Sequence, residues 1–387
     1  MPRVRAIVDR SYAHLVERLE RLGVPRRWPP LLIVGIAAAT TAVVLALVVG
    51  ITGRTGGIDP PTAILPASAV KDGSTVVNAA SAQVRSITMV TPNRWAAGWA
   101  DCSTGPRCRY SAVIDRDGAK AIAPEWSVPY VTLRTGDEAI AVAPPREGTL
   151  TGDTTVLFRL TYDGPVTSRL RYVLPTRTFQ RGEILTDRIV PGRIVVVNPE
   201  EWTVRMLQTQ GTRSPFCDTT GRCWMLSGIG RTDIIWTDDG GTSWESAPLD
   251  ETNQRGRLTV SPDGSTLVAT AVAIDSRSET VASMRLSTDR GAHWTTVQQV
   301  PQNLKTAPVA FDDGTAVMLG ARSGHPTPRL YRITTDGAEP EPGAPGTFTH
   351  LTGDTQLLYG PRVSNQRAIQ VATSTDRGKT WQTFIPR

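Results

Sequence analysis

The residues with which this chain could do chemistry are four cysteines, four histidines, three similarly flanked aspartates and a long series of arginines. Cys102 and Cys108, then Cys217 and Cys223, stand as two C-x5-C pairs, each bracketing a turn (STGPR, DTTGR). Thiols that close across a turn read simply as two local disulfides, which suits an oxidising compartment. The sharper alternative is one zinc held by all four thiolates, which needs two distant segments to converge at a spacing unlike that of zinc knuckles. The histidines offer less. His14, His293, His325 and His350 show no metal-ligand spacing, and neither a nucleophile elbow nor a phosphate-binding glycine loop occurs. From these residues no catalytic group, no metal and no cofactor is expected, and the chain reads as not an enzyme.

The aspartates lie in three copies of one template, [S/T]-x-D-x-G-x-x-W. The copies are Thr237-Asp238-Asp239-Gly240-Gly241-Thr242-Ser243-Trp244, Ser287-Thr288-Asp289-Arg290-Gly291-Ala292-His293-Trp294, and Ser374-Thr375-Asp376-Arg377-Gly378-Lys379-Thr380-Trp381. Each follows an alternating β-rich run (DIIW, VASMRL, AIQVA), so each sits at a hairpin. The aspartate can accept backbone N–H bonds within the turn, the hydroxyl can close a second local bond, and glycine can take a positive φ. The tryptophan that opens the next strand supplies an apolar plate for packing between sheets.

These stretches resemble the Asp-box, or BNR repeat, of sialidase-like β-propellers, sortilin-type receptors and the photosystem II assembly-factor family. The resemblance implies an all-β propeller in which each box is the structural turn between the third and fourth strands of a blade. The sialidases in that superfamily also carry an F/Y-R-I-P motif whose arginine binds a substrate carboxylate. Here Phe158-Arg159-Leu160-Thr161 and Tyr331-Arg332-Ile333-Thr334 both lack the proline and precede box-like turns, so no catalytic residue carries over.

Weaker turns extend the pattern: Thr334 to Gly337, Asn198-Pro199, Tyr162-Asp163-Gly164 and Arg116-Asp117-Gly118. The resulting positions (117, 163, about 199, 239, 289, 336 and 376) are separated by 36 to 50 residues, the repeat of a four-stranded blade. A second set of turns, expected between first and second strands, falls once in each blade: Thr91-Pro92-Asn93, Thr135-Gly136-Asp137, Gln180-Arg181-Gly182, Cys217 to Cys223, Ser261 to Gly264, Asp312-Asp313-Gly314 and Thr352-Gly353-Asp354. Seven blades fit, or six if the third, about 174 to 207, is lost. Ring closure is expected from packing or from an added strand around Ser74 to Val84.

Strand alternation puts the remaining loops on the face opposite the boxes. Those loops hold Arg107, Arg146, Arg193, Arg231, Arg277, Arg322 with Arg329, and Arg362 with Arg367, a candidate rim for phosphate- or carboxylate-bearing ligands. The bland alternative is chance, because all but four of the 42 basic residues are arginine.

The segment that must place this domain lies upstream. Leu31 to Thr52 is 22 residues without a charge, about 33 Å as a helix and enough to cross a bilayer. A cleaved signal peptide would have a shorter apolar core. Arg3, Arg5, Arg10, Arg18, Arg21, Arg26 and Arg27 precede it and only Arg54 closely follows, which puts the N-terminus inside. Val8, Tyr12, Leu15, Leu19 and Leu22 alternate by four and three, an amphipathic helix that lies on the inner leaflet or pairs with another. The predicted organisation is a cytoplasmic helix over 1–29, a transmembrane helix over 30–52, an extracytoplasmic linker over 53–84 and the propeller over 85–387.

Arginine, alanine and tryptophan usage is of the actinobacterial type. The expectation is a single-pass membrane protein whose propeller is a non-catalytic binding or assembly scaffold for an anionic cell-envelope polymer or a partner protein. A sialidase-like or other glycoside hydrolase is the alternative, and transduction through the N-terminal helix a third class. Nucleic acid is not expected as a partner despite the net charge of +6, on grounds of location.

Overall fold

The computed structural model describes residues 71–387 apart from 104–106, 146–154, 228–231, 251–254, 275–278, 305, 323–324, 344–346, 349–350, 354–356 and 365–366. The predicted cytoplasmic helix, membrane span and most of the linker lie outside the described residues. Among those described, no helix is long and apolar enough to cross a membrane. Two compact units are distinguished, Met1–Thr62 and Ala63–Arg387, and every described strand belongs to the second.

That unit is built of antiparallel sheets in chain order. The first sheet runs Gln83–Thr91, Arg94–Asp101, Arg109–Arg116, Ala119–Ile122, and the second Val131–Thr135, Glu138–Ala143, Val156–Thr161, Gly164–Arg169. The fourth is Gly211–Cys217, Cys223–Ser227, Thr232–Thr237, Glu245–Asp250. Then comes a nine-stranded sheet holding two meanders, Arg255–Val260 to Thr295–Thr296 and Asn303–Leu304 to Gly337–Pro340, which meet where Asn303–Leu304 pairs with strands of both. The last sheet runs from Thr347–Phe348 to Gln382–Phe384.

The strands read HPHP only weakly because most sheets are covered on both faces. Arg94–Asp101 (RWAAGWAD) is buried at every position after the first. Small residues in the second strands let neighbouring sheets approach; a Cβ on Gly98 would meet Tyr130 O, which leads into the second sheet, at 3.0 Å. The core is accordingly divided into apolar clusters, most lying between two sheets consecutive in the chain and one between the two meanders of the nine-stranded sheet. Ala141, Phe158 and Ala112 fill the gap between the first and second sheets, for example, and Trp224, Leu258 and Leu267 that between the fourth and the next. One cluster joins the two ends of the chain: Ile87, Trp95 and Trp99 of the first sheet pack against Tyr359, Val371 and Phe384 of the last. Trp99 also donates its indole N–H to Pro386 O at 3.1 Å. Sheets packed in chain order with the last against the first make a closed radial ring, a β-propeller.

Closure therefore rests on packing. The segment expected to add a strand, Ser74 to Val84, instead forms a one-turn helix at Ser74–Val77, with Asp72 accepting the N–H and hydroxyl of Ser74 at 2.8 and 2.5 Å. The strand that follows, Gln83–Thr91, begins inside the predicted linker and is the innermost strand of the first sheet itself.

The third sheet departs further from expectation. Its order is Ile184–Thr186, Val195–Asn198, Thr203–Met206, Arg171–Tyr172, and the last of these comes from upstream and runs parallel to its neighbour. The Asn198-Pro199 turn thus joins the second and third strands, and Gln180-Arg181-Gly182 precedes the first. The turn chemistry itself is as expected, since Asn198 Oδ1 accepts Glu200 N and Glu201 N at 3.1 and 2.9 Å. What differs is its rank in the sheet, because a preceding segment already occupies the outer edge.

Candidate functional site

The three template copies form the same corner. In each, the hydroxyl of Thr237, Ser287 or Ser374 donates to Asp239, Asp289 or Asp376 Oδ1 at 2.7–2.8 Å and accepts the N–H of Gly241, Gly291 or Gly378 at 2.7–2.9 Å. The carboxylate then accepts the N–H four residues on, from Ser243, His293 or Thr380, at 2.8–2.9 Å. The turn closes through two consecutive positive φ angles: Gly240 and Gly241 (68° and 89°), Arg290 and Gly291 (61° and 84°), Arg377 and Gly378 (61° and 93°). Trp294 and Trp381 return their indole N–H to the carbonyl of Gly291 and Gly378 at 3.1 and 2.8 Å. Trp244, Trp294 and Trp381 pack into the clusters shared with the preceding sheet, so the corner positions an inter-sheet wedge.

These carboxylates are held down to a pKa of about 2. For Asp239 and Asp289 the chief cause is the accepted backbone N–H of Ser243 or His293, and for Asp376 it is the hydroxyl of Thr380. Groups fixed in their charged form by their own turn are unsuited to proton transfer.

Several arginines on the corner side of the ring are engaged by carboxylates, some across sheet boundaries. Arg290, at a corner, reaches Asp218 of the preceding sheet at 2.7 Å, and Arg377, at the equivalent place, pairs with Asp313. Arg116 and Arg159 flank Glu138 at 3.1 and 2.9 Å, and Arg94 bridges Asp117 and Asp137 at 2.8 and 3.2 Å. Sequence reasoning missed these clasps. The arginine that recurs directly after the box aspartate, at 290 and 377, was the available signal.

The loop arginines have varied fates. Arg107, inside the Cys102–Cys108 loop, Arg193, between the first two strands of the third sheet, and Arg329, on the strand His325–Thr334, are exposed. Arg322 ends a strand and donates to Gln299 O and Ala338 O at 3.3 and 3.0 Å, with its guanidinium over Tyr331. Arg362 is half-buried within Leu358–Ser364, and Arg367 opens the next strand. Arg146, Arg231 and Arg277 lie outside the described residues, as does His350. Phe158 and Tyr331 are core residues, while Arg159 and Arg332 are tied to Glu138 and Glu341.

The cysteines form the two local disulfides, Cys102–Cys108 and Cys217–Cys223. The zinc alternative is thereby excluded, and no cluster of three or more potential metal ligands occurs among the described residues.

No protein-family model and no curated protein sequence matches the chain. Solved structures do. A puromycin-hydrolyzing peptidase of Mycobacterium tuberculosis is similar at a TM-score of 0.53 and 14% identity, covering 82% of this chain and 54% of the other. A puromycin hydrolase in complex with PGG is similar at 0.50 and 13%, with 82% and 55% covered. The β-propeller domain of the Trilobed protease from Pyrococcus furiosus is covered over 98% of its length at 10% identity, but its TM-score of 0.49 is too low to argue from. The chain spans about half the length of the first two, and at such identities the likeness shows the fold alone. It nevertheless corrects one expectation: the reading of the chain as not an enzyme is overturned by structural neighbours that are named as hydrolases.

Proposed function

We propose that this chain is a seven-bladed Asp-box propeller, held outside the membrane by the apolar stretch 30–52 with residues 1–29 inside. The propeller recognises an anionic cell-envelope polymer or an acidic partner protein as the binding part of a hydrolytic system. The blade count is supported by the core clusters, which among the described residues number seven when the junction of last and first sheets is included. Membership of the Asp-box superfamily is supported by three corners with one hydrogen-bond pattern.

The observation that carries the functional reading is a set of exposed loop arginines without a carboxylate partner among the described residues. At the corners, Arg94, Arg116, Arg290 and Arg377 are paired with carboxylates. Arg107, Arg193 and Arg329 are exposed and have no carboxylate partner among the described residues. Guanidinium groups left over in this way suit phosphate or carboxylate repeats. The full chain in detergent should retain anionic cell-wall polymer in a pull-down at low salt, and the variant R107S/R193S/R329S should lose most of that binding. Equal retention by both proteins would defeat the reading.

The hydrolase setting rests on the fold comparison alone. Screening the full chain against fluorogenic peptides and glycosides tests it, with saturable cleavage as the supporting result. A span over 30–52 with the N-terminus inside requires that external protease digest the propeller in intact cells while leaving an N-terminal tag protected.

A further inference from the structure

The first strands of the sheets are rich in arginine, in a set distinct from the loop arginines. The strands at the inner edges of the sheets contain Arg85, Arg134, Arg213, Arg255 and Arg257 and no acidic residue: QVRSITMVT, VTLRT, ILT, GTRSPFC, RGRLTV and the short VA, TF and TG. Arg85 is the unpaired residue of a bulge in the innermost strand of the first sheet, between the pairs Val84–Trp99 and Ser86–Gly98, and it is exposed.

Several sheets converge on Arg188, which leads out of the innermost strand of the third sheet. Its Nη1 donates to Thr132 O of the second sheet at 3.2 Å. The adjoining Asp187 accepts Ser214 N of the fourth sheet at 2.9 Å. The pair Asp187–Arg188, in reach of the second and fourth sheets from the third, stands near the axis of the ring. Arg188 is solvent-exposed, yet desolvation by the surrounding protein pushes its pKa down. Arg188 thus lies beside the inner strand of a neighbouring sheet while keeping access to solvent. The adjoining carboxylate, Asp187, is already engaged by Ser214 N, while the Nε–Nη2 edge of the guanidinium has no partner among the described residues.

We propose that this axial position is an oxyanion site in which Arg188 takes one carboxylate or phosphate group, the charged end of a ligand chain, through its free forked edge. A single axial guanidinium fork takes one end group where the outer loops would follow a polymer's length, so the proposal rests on the recognition reading above and adds the position at which a chain end is held. Arg85, exposed on the innermost strand of the first sheet, adds to the field that draws the anion inward, and Arg188 supplies the paired donors.

The test uses the full chain in detergent with two probes, inorganic phosphate and N-acetyl-glycyl-glycine, and with the amide of that dipeptide as the uncharged control, all by calorimetry at matched ionic strength. One equivalent of phosphate or of the free acid should bind, and the stronger probe identifies the source. R188Q should weaken that binding by about tenfold or more, the usual reach of a charge-assisted hydrogen bond. R188K should fall between, because it keeps the charge but not the fork. If R188Q does not fold, the comparison of R188K with wild type and the probe-induced rise in melting temperature of wild type still decide. Binding of the amide as strongly as the acid, no binding of either anion, or unchanged affinity in R188K and R188Q would overturn the site and leave Arg188 a tie between sheets. Loss of polymer binding in R107S/R193S/R329S is measured separately, so the outer face and the axial site can fail independently.

Discussion

At the scale of single residues, the corners tie the chemistry of an aspartate to the conformation of a glycine. Asp239, Asp289 and Asp376 are held to about 2 in the folded ring, against about 3.9 in an unfolded chain. A depressed carboxylate stabilises the fold above the unfolded value and loses that contribution as pH falls through the folded one. Stability should therefore decline between about pH 4 and pH 2. In acid titrations of the melting temperature, D239N/D289N/D376N should melt lower at neutral pH and show a flatter decline. A slope identical to wild type would remove the corners from acid sensitivity. Gly378 tests the other half of the motif. At φ 93° a Cβ there would lie 3.1 and 3.2 Å from Leu330 Cδ2 and Leu358 Cδ1, whereas one on Gly118 at 91° would meet nothing. Gly118→Ala should cost about 1–2 kcal/mol for left-handed backbone alone, and Gly378→Ala more; the comparison is read by chemical denaturation.

Among the elements, what joins one sheet to the next is apolar packing edged by guanidinium–carboxylate clasps. Asp218 is fully buried and accepts Arg290 of the next sheet. Asp218→Asn should cost about 1.5–3 kcal/mol, and in a double-mutant cycle with Arg290→Gln the two losses should not add. Full additivity would show that the clasp contributes nothing. This scale also shows where sequence was a good guide. Corners and disulfide loops are local: hydroxyl, carboxylate, glycine and tryptophan meet within eight residues, so Ser287 to Trp294 could be read without its neighbours. The third sheet could not, because Arg171–Tyr172 pairs parallel with Thr203–Met206 across 30 residues of chain, and nothing in RY distinguishes an edge strand from a linker. Arg188 was invisible for a similar reason. Its placement comes from Thr132, and that of the adjoining Asp187 from Ser214, which lie in other sheets. The loop arginines were legible as residues but not as partners, so Arg322, expected on the rim, lies against Tyr331 and two carbonyls.

For the whole molecule the decisive event is closure of the first sheet on the last without a shared strand. Trp99, fully buried, donates to Pro386 O, and Trp95 meets Phe384 at 5.7 Å between ring centroids. Trp99→Phe keeps most of the apolar contact but orphans that carbonyl, and should cost about 1–2 kcal/mol. Hydrogen exchange should locate the loss in the first and last sheets, and a loss spread evenly over all sheets would speak against a local closure. The central claim, a closed ring, is tested most directly by pulsed electron paramagnetic resonance with spin labels at Asn93 in the first sheet, Thr242 in the fourth and Lys379 in the last, all exposed. A ring makes the Asn93–Lys379 distance the shorter, although that pair is much farther apart along the chain than Asn93 and Thr242; the reverse order would mean an open array of sheets and contradict the closure on which the axial site depends.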